Sequence, residues 1–179
     1  APLAPRAARA VPAVQAALGA LGLEHRVECT QSLAHARQLA MSAASAGEVA
    51  VAFGGDGLLG AVAGALKHSS AVVGMLPGGR GNDLARVLGI PLEPVAACQV
   101  LASGSVRELD LGEVDSRTFI GIASCGFDSV ANRLANETRL IRGKFVYTYG
   151  ALRALAGWKP ADFEVKPDGG SIRAFRGYT

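Results

Sequence analysis

The chain begins with a helical period. From about Arg6 to Leu21 apolar positions, mostly alanine, recur at helical spacing. Pro12 is expected to interrupt this helix, and Gly19 and Gly22 to end it. Residues 24–29 alternate in part and predict a short strand. Thr30 to Ser45 predicts a helix with Ser32 as N-cap and Leu33, Ala36, Leu39 and Ala40 on one face, closed by Gly47. Val49 to Phe53 is a buried-type strand and Leu59 to Leu66 a helix. Ala71 to Leu76 is another apolar strand. Helices follow from Asn82-Asp83 through Leu88 and from Pro94 to Ala102. This βαβα alternation predicts an α/β fold: a parallel sheet with helices on both faces and ligands at the carboxyl ends of its strands.

The pattern changes near Ser103-Gly104-Ser105. Val106 to Glu113 and Thr118 to Ser124 alternate across a short polar turn, Val114 to Arg117, and predict antiparallel strands. Asp128 to Asn136 and Arg142 to Ala156 have helical spacing. Ala161 to Lys166 is strand-like and Pro167 to Gly170 a turn. The reading is a nucleotide-type α/β domain over residues 1–104 and the start of a β-rich domain over 105–179, with no internal repeat.

Two glycine loops stand at the predicted carboxyl edge: Gly54-Gly55-Asp56-Gly57-Leu58 after one strand, and Pro77-Gly78-Gly79-Arg80-Gly81-Asn82-Asp83 after the next. Glycines let backbone N–H groups approach phosphate oxygens, and a helix N-terminus favours the negative charge. A carboxylate there repels a polyphosphate unless a metal ion or a proton-donating hydroxyl intervenes, so Asp56 points to phosphoryl-transfer chemistry. Arg80 can meet phosphate; Asn82 and Asp83 can cap a helix or hold a base or ribose. Three other readings compete. Gly55 to Gly60 fits G-x-G-x-x-G, but no Asp or Glu lies between Lys67 and Asn82 to hold a ribose. No G-x-x-x-x-G-K-[ST] exists, which removes a Walker A loop. Asp56 as an ordinary N-cap in a tight turn is the plainest alternative, and two such loops on successive units weaken it.

Composition narrows the field. In 179 residues, half are hydrophobic and the net charge is +3. The pI near 9.0 suits an anionic ligand or membrane surface. No Lys/Arg stripe with interleaved aromatics suggests nucleic acid. Cys29, Cys98 and Cys125 are too dispersed for a zinc site and read as free thiols in a reducing compartment. Without an evident signal peptide or bilayer-length apolar run, the expectation is a cytoplasmic protein.

Together the loops carry a resemblance. Phe53-Gly54-Gly55-Asp56-Gly57, then Leu76-Pro77-Gly78-Gly79-Arg80-Gly81-Asn82-Asp83-Leu84-Ala85-Arg86, resembles the signature of the diacylglycerol-kinase catalytic superfamily. Thr30 with His35-Ala36, Leu109-Asp110-Leu111-Gly112, and Phe119 with Gly126-Phe127-Asp128 agree further. The resemblance implies a two-domain, ATP- and Mg²⁺-dependent kinase acting on a lipid hydroxyl of the diacylglycerol or sphingoid type. Its first domain is of the phosphofructokinase/NAD-kinase type and its second, β-rich domain carries the lipid pocket. By that resemblance Gly54, Gly55 and Gly57 line the phosphates, and Thr30, Gly79 and Asn82 border the nucleotide. Asp56 is the catalytic residue, acting through Mg²⁺ or on the acceptor hydroxyl, and Asp128 is a candidate on the substrate side. Peripheral membrane contact and a homodimer are compatible with it.

Leu58 and Arg80 stand where the family pattern has Thr, and Ala61 where it often has Glu. A catalytically impaired nucleotide-binding regulator, or an NAD-kinase-like enzyme, is therefore the alternative. The family's opening strand and late acidic motif are absent, so the sequence reads as the central part of a larger protein, inactive alone. His25, His35 and His68 read as surface or capping residues, Arg142 and Lys144 as a solvated basic turn, Asp110 as a strand-end residue, and Trp158, Tyr147 and Tyr149 as core.

Overall fold

The computed structural model describes residues 5–137, 145–155 and 159–177. It divides by internal contacts into two units, residues 1–123 and 124–179.

In the first unit, β1 (Ala50–Gly54) and β2 (Val73–Pro77) pair in parallel, with Ala50 opposite Val73 and Gly54 opposite Pro77. Side chains alternate across this pair. Ala50 and Ala52 face a cluster with Ala36, Ala40, Leu59, Val62 and Leu66, from α2 (Leu33–Ser45), α3 (Asp56–Ala65) and the C-cap of α3. Leu76 faces the other cluster, with Val14, Leu18, Ala97 and Cys98 from α1 (Pro5–Ala20) and α5 (Pro94–Ser103); Phe53 packs against it. Helices thus cover both faces, as the βαβα pattern predicts. The many alanines let them lie close to the sheet.

Local chemistry explains the boundaries. Ser32 accepts the His35 N–H at 3.0 Å, the expected N-cap of α2. Glu93 takes the Ala96 N–H at 2.6 Å to cap α5, and Gly104 ends that helix at φ 65°. The hairpin of β3 (Gly112–Val114) and β4 (Arg117–Phe119) turns through Asp115 and Ser116, both at positive φ, in the sense that matches strand twist. It packs on α3, where an ideal Cβ on Gly64 would lie 2.9 Å from the Thr118 Cβ. By contacts the hairpin therefore belongs with the first unit, whereas the change of sequence style falls before it, near residue 104.

Three of the expectations for the first unit change. Pro12 does not interrupt α1: it sits on the exposed face, and the carbonyl it leaves without a donor belongs to Ala8, also exposed. Residues 24–29 form no strand, because a strand exists only by pairing and this exposed stretch has no ladder partner among the described residues. The Arg26–Glu48 ion pair ties it instead to the residues before β1. Third, α3 starts at Asp56 rather than Leu59, so Asp56, Gly57 and Leu58 form its first turn.

Cys98 is wholly buried on the inward face of α5, and burial, then the Glu93 charge, pushes its thiol up. Cys29 and Cys125 are exposed. Since the thiolate is the nucleophile, an alkylating reagent at neutral pH is expected to label Cys29 and Cys125 promptly. Cys98 should react only after denaturation, as peptide mass spectrometry would report.

In the second unit, α6 (Phe127–Glu137) packs with α7 (Phe145–Leu155). A hairpin follows, β5 (Ala161–Val165) with β6 (Arg173–Gly177), where Phe163 and Phe175 stack at 5.4 Å. The strand β6 is absent from the pattern reading. Tyr149 is not core: it lies at the surface of α7, and its hydroxyl accepts from Arg153. Arg142, Lys144 and Trp158 lie outside the described residues.

Candidate phosphate-binding site

The parallel register brings both glycine loops off the same sheet edge at the same height. The Gly78 N–H donates to the Gly54 carbonyl at 2.8 Å, carrying the ladder one step past the strands. The loops then touch backbone to backbone. An ideal Cβ on Gly79 would lie 2.5 Å from Gly55 Cα, and one on Gly55 3.3 Å from Gly79 Cα. Glycine is needed here for close approach, not for a turn.

The five-residue helix α4 (Asp83–Val87) starts from the second loop. Its N-cap residue, Asn82, is at φ 55° and makes no side-chain cap. Asp56 supplies the cap from the other loop: Asp83 N–H donates to Oδ2 at 3.2 Å and Leu84 N–H to Oδ1 at 3.3 Å. The Asp56 carboxylate thus lies between the N-termini of α3 and α4, where both helix dipoles favour a negative charge. The amide of Asn82 turns back instead. Its Oδ1 accepts the Gly79 N–H at 2.9 Å and its Nδ2 donates to the Gly79 carbonyl at 3.1 Å. At 4% exposure Asn82 is the buried polar residue of the described core. The Arg86 Nε, donating to the Gly81 carbonyl at 3.1 Å, ties down the far end of the loop.

What remains open is equally specific. The first-turn N–H groups of α3, at Asp56 and Gly57, have no intrahelical acceptor. Gly57 is exposed, and an ideal Cβ there would meet nothing within 4 Å. Arg80 is exposed, with no hydrogen bond or ion pair among the described residues. A small hollow under the loops is lined by Gly54, Gly55, Asp56, Pro77 and Asn82 among others. Open glycine N–H groups, a helix N-terminus and a guanidinium suit a phosphate chain.

A divalent cation fits the donor chemistry. An ideal Cβ on Gly81 would lie 3.3 Å from the Asp56 Oδ2 and 3.4 Å from the Asp83 Oδ2, so two carboxylates converge there. Each Asp56 oxygen accepts one N–H and keeps a second lone pair. Mg²⁺ commonly binds through one or two carboxylates, waters and substrate phosphates. Asp83, read from sequence only as a capping or ribose-holding residue, brings the second carboxylate.

The other sequence candidates fall differently. Thr30 is half-buried ahead of α2, and no hydrogen bond among the described residues links it to either loop. Asp128 is exposed in the first turn of α6, in the second unit. Leu58 folds back over Gly54: an ideal Cβ on that glycine would lie 2.8 Å from Leu58 Cδ2. Ala61 is buried inside α3.

Comparison with known proteins extends these observations. Residues 4–114 match the family model described as the diacylglycerol kinase catalytic domain. Residues 121–179 match the YegS C-terminal NAD kinase beta sandwich-like domain. A diacylglycerol kinase of Mycobacterium tuberculosis is 35% identical over 159 residues, covering 82% of this chain and 52% of that protein. A probable lipid kinase, YegS-like, of Pseudomonas aeruginosa is 39% identical over 130 residues, covering 70% of this chain and 43% of that protein. The chain spans about half the length of the curated relatives it matches. Among solved structures, a diacylglycerol kinase from Bacillus anthracis superposes with TM-score 0.69 at 19% identity, covering 96% of this chain and 56% of that one. At that identity the likeness speaks for the fold, and it agrees with the parallel α/β reading.

Proposed function

The chain belongs to the diacylglycerol kinase catalytic-domain family, and on that premise we propose that it carries the nucleotide half of an ATP-dependent lipid kinase. The observation that supports this most is the meeting of the two glycine loops at Gly55 and Gly79, with Asp56 spanning them. In the proposed reaction a lipid hydroxyl oxygen, of the diacylglycerol or sphingoid type, forms the new bond to the γ-phosphorus. The bond to the β–γ bridging oxygen breaks, ADP leaves, and the hydroxyl proton passes to a base. Such transfer needs mainly positioning and charge neutralisation. Gly54, Gly55, Gly57 and Gly79 shape the phosphate cradle, Arg80 neutralises phosphate charge, and Thr30 borders the nucleotide. Asp56 receives the acceptor proton or holds Mg²⁺ with Asp83; the ion, when bound, neutralises charge developing on the phosphates.

A lipid acceptor requires contact with a membrane surface. Residues 124–179 contain nine of the chain's 18 Lys and Arg but five of its 15 Asp and Glu, a bias that suits anionic lipid. No helix among the described residues is long and apolar enough to cross a bilayer. The second reading, a nucleotide-binding regulator, draws on Leu58, whose side chain covers Gly54 where the family pattern has a hydroxyl.

The full-length protein, incubated with γ-labelled ATP, Mg²⁺ and mixed micelles containing diacylglycerol or sphingosine, is expected to label a lipid. ATP binding without label transfer would favour the regulator. Transfer of label to NAD instead would favour the NAD-kinase reading.

A further inference from the structure

The side chain of Asn82 turns back onto its own loop. It is buried to 4% exposure, its Oδ1 holds the Gly79 N–H, and its Nδ2 holds the Gly79 carbonyl. It stands at the N-cap of α4 yet leaves capping to Asp56, 27 residues upstream of Asp83 in the chain. Its backbone is left-handed, at φ 55° and ψ 48°, a conformation that Asn, Asp and Gly accept more readily than other residues. The two peptide units that flank the Gly79 Cα are therefore each pinned by the same amide. Gly79 is the glycine lying against Gly55 at the mouth of the other loop.

We propose that Asn82 is a positioning residue for bound nucleotide: it acts through the Gly79 backbone and touches no part of the nucleotide itself. The inference rests on the nucleotide reading of this site. Unpinned, the Gly79–Arg80 peptide is free to rotate, and its carbonyl can swing toward the space where phosphate oxygens would lie, a repulsive arrangement. Pinned, Gly79 keeps its Cα against Gly55 and holds the two loops in one geometry. Preorganisation of this kind acts on affinity for the phosphate chain, not on the choice of base.

Two substitutions separate this role from direct contact. Asn82→Gly accepts the left-handed backbone and deletes both amide bonds. Asn82→Asp retains an acceptor for the Gly79 N–H but sets a carboxylate oxygen against the Gly79 carbonyl. ATP and GTP binding are titrated calorimetrically on wild type and both variants. Exchange of the Gly79 amide hydrogen is followed by NMR without nucleotide. Asn82→Gly is expected to speed that exchange at least tenfold and to weaken ATP and GTP binding by the same factor, about five- to twentyfold. Asn82→Asp is expected to weaken both nucleotides at least as much. Unchanged exchange at Gly79 in Asn82→Gly, or an ATP-to-GTP ratio shifted more than threefold in either variant, would overturn the proposal. Wild-type protein that binds neither nucleotide would overturn the nucleotide reading and the ligand half of this inference together. The exchange measurement would then still decide whether Asn82 holds the loop.

Discussion

Gly79→Ala is expected to weaken nucleotide binding and to lower the melting temperature, a large effect for one added methyl. The new Cβ would sit 2.5 Å from Gly55 Cα, 2.9 Å from Asn82 Oδ1 and 3.1 Å from Gly55 N. Two of these obstacles are backbone atoms, so no rotamer change relieves them. The loops must part, at a cost of about 1–3 kcal/mol for an overpacked contact. That corresponds to a drop of roughly 2–8 °C per kcal/mol for domains of this size range. Separation of the loops also breaks the cradle, and ATP affinity should fall more than about tenfold, the equivalent of ~1.4 kcal/mol. Gly57→Ala is the matched control. Its Cβ meets nothing within 4 Å and lies in the first turn of α3, so the protein should melt no lower than wild type. If phosphate approaches Gly57, ATP binding should still weaken. Differential scanning fluorimetry with ATP titration reads both quantities. A Gly79→Ala protein that melts and binds like wild type would refute the steric argument.

Replacing Asp56 should separate chemistry from folding. Asp56→Ala removes the acceptor of two N–H groups at the start of α4. Loss of a cap costs about 0.5–2 kcal/mol, so a clear drop in melting temperature is expected. Asp56→Asn keeps one acceptor oxygen and the shape, so it should melt between Asp56→Ala and wild type. Yet Asn neither receives the acceptor proton nor offers a charge to Mg²⁺. Label transfer to lipid should fall at least about a hundredfold, the lower end of what one acid–base group contributes. Equal losses of stability and transfer in both variants would leave Asp56 a structural cap and no more. Retained transfer in Asp56→Asn would remove it from the chemistry.

Much of this site is legible in the sequence because its signals are local. Two apolar strands, each running into glycines and then a helix, place both loops on one edge without any knowledge of packing. Asp56 stands out because a carboxylate is a poor neighbour for phosphate. What the pattern does not carry is who partners whom. Asp56 as the cap of α4 depends on parallel register and on a contact 27 residues away. Ser32, which caps its own helix, is readable from the chain, whereas Asn82 looks like the same kind of residue and behaves otherwise. Residues 24–29 show the converse failure: alternation describes a surface able to pair and is silent on whether a partner exists. Pro12 was misleading because the cost of a proline depends on which face its orphaned carbonyl occupies. The strand β6 carries no sequence signal because Arg173-Ala174-Phe175-Arg176-Gly177 has too few apolar residues to alternate.

The pairing of Gly54 with Pro77 has a last implication for how such a site persists. The two motifs are aligned by the rungs of the sheet, so the ruler that sets their separation runs across the strands and not along the chain. The connection from Lys67 to Val72 lies off that ruler: it enters the amino end of β2, whereas both loops leave the carboxyl ends of their strands. Length changes there alter only a loop-closure entropy that grows slowly with chain length. A single residue gained inside β1 or β2 would instead carry one glycine loop past the other and turn every later side chain of that strand to the opposite face. Recognition of this site across distant chains should therefore allow the gap between the motifs to vary and hold each motif's offset from its own strand constant.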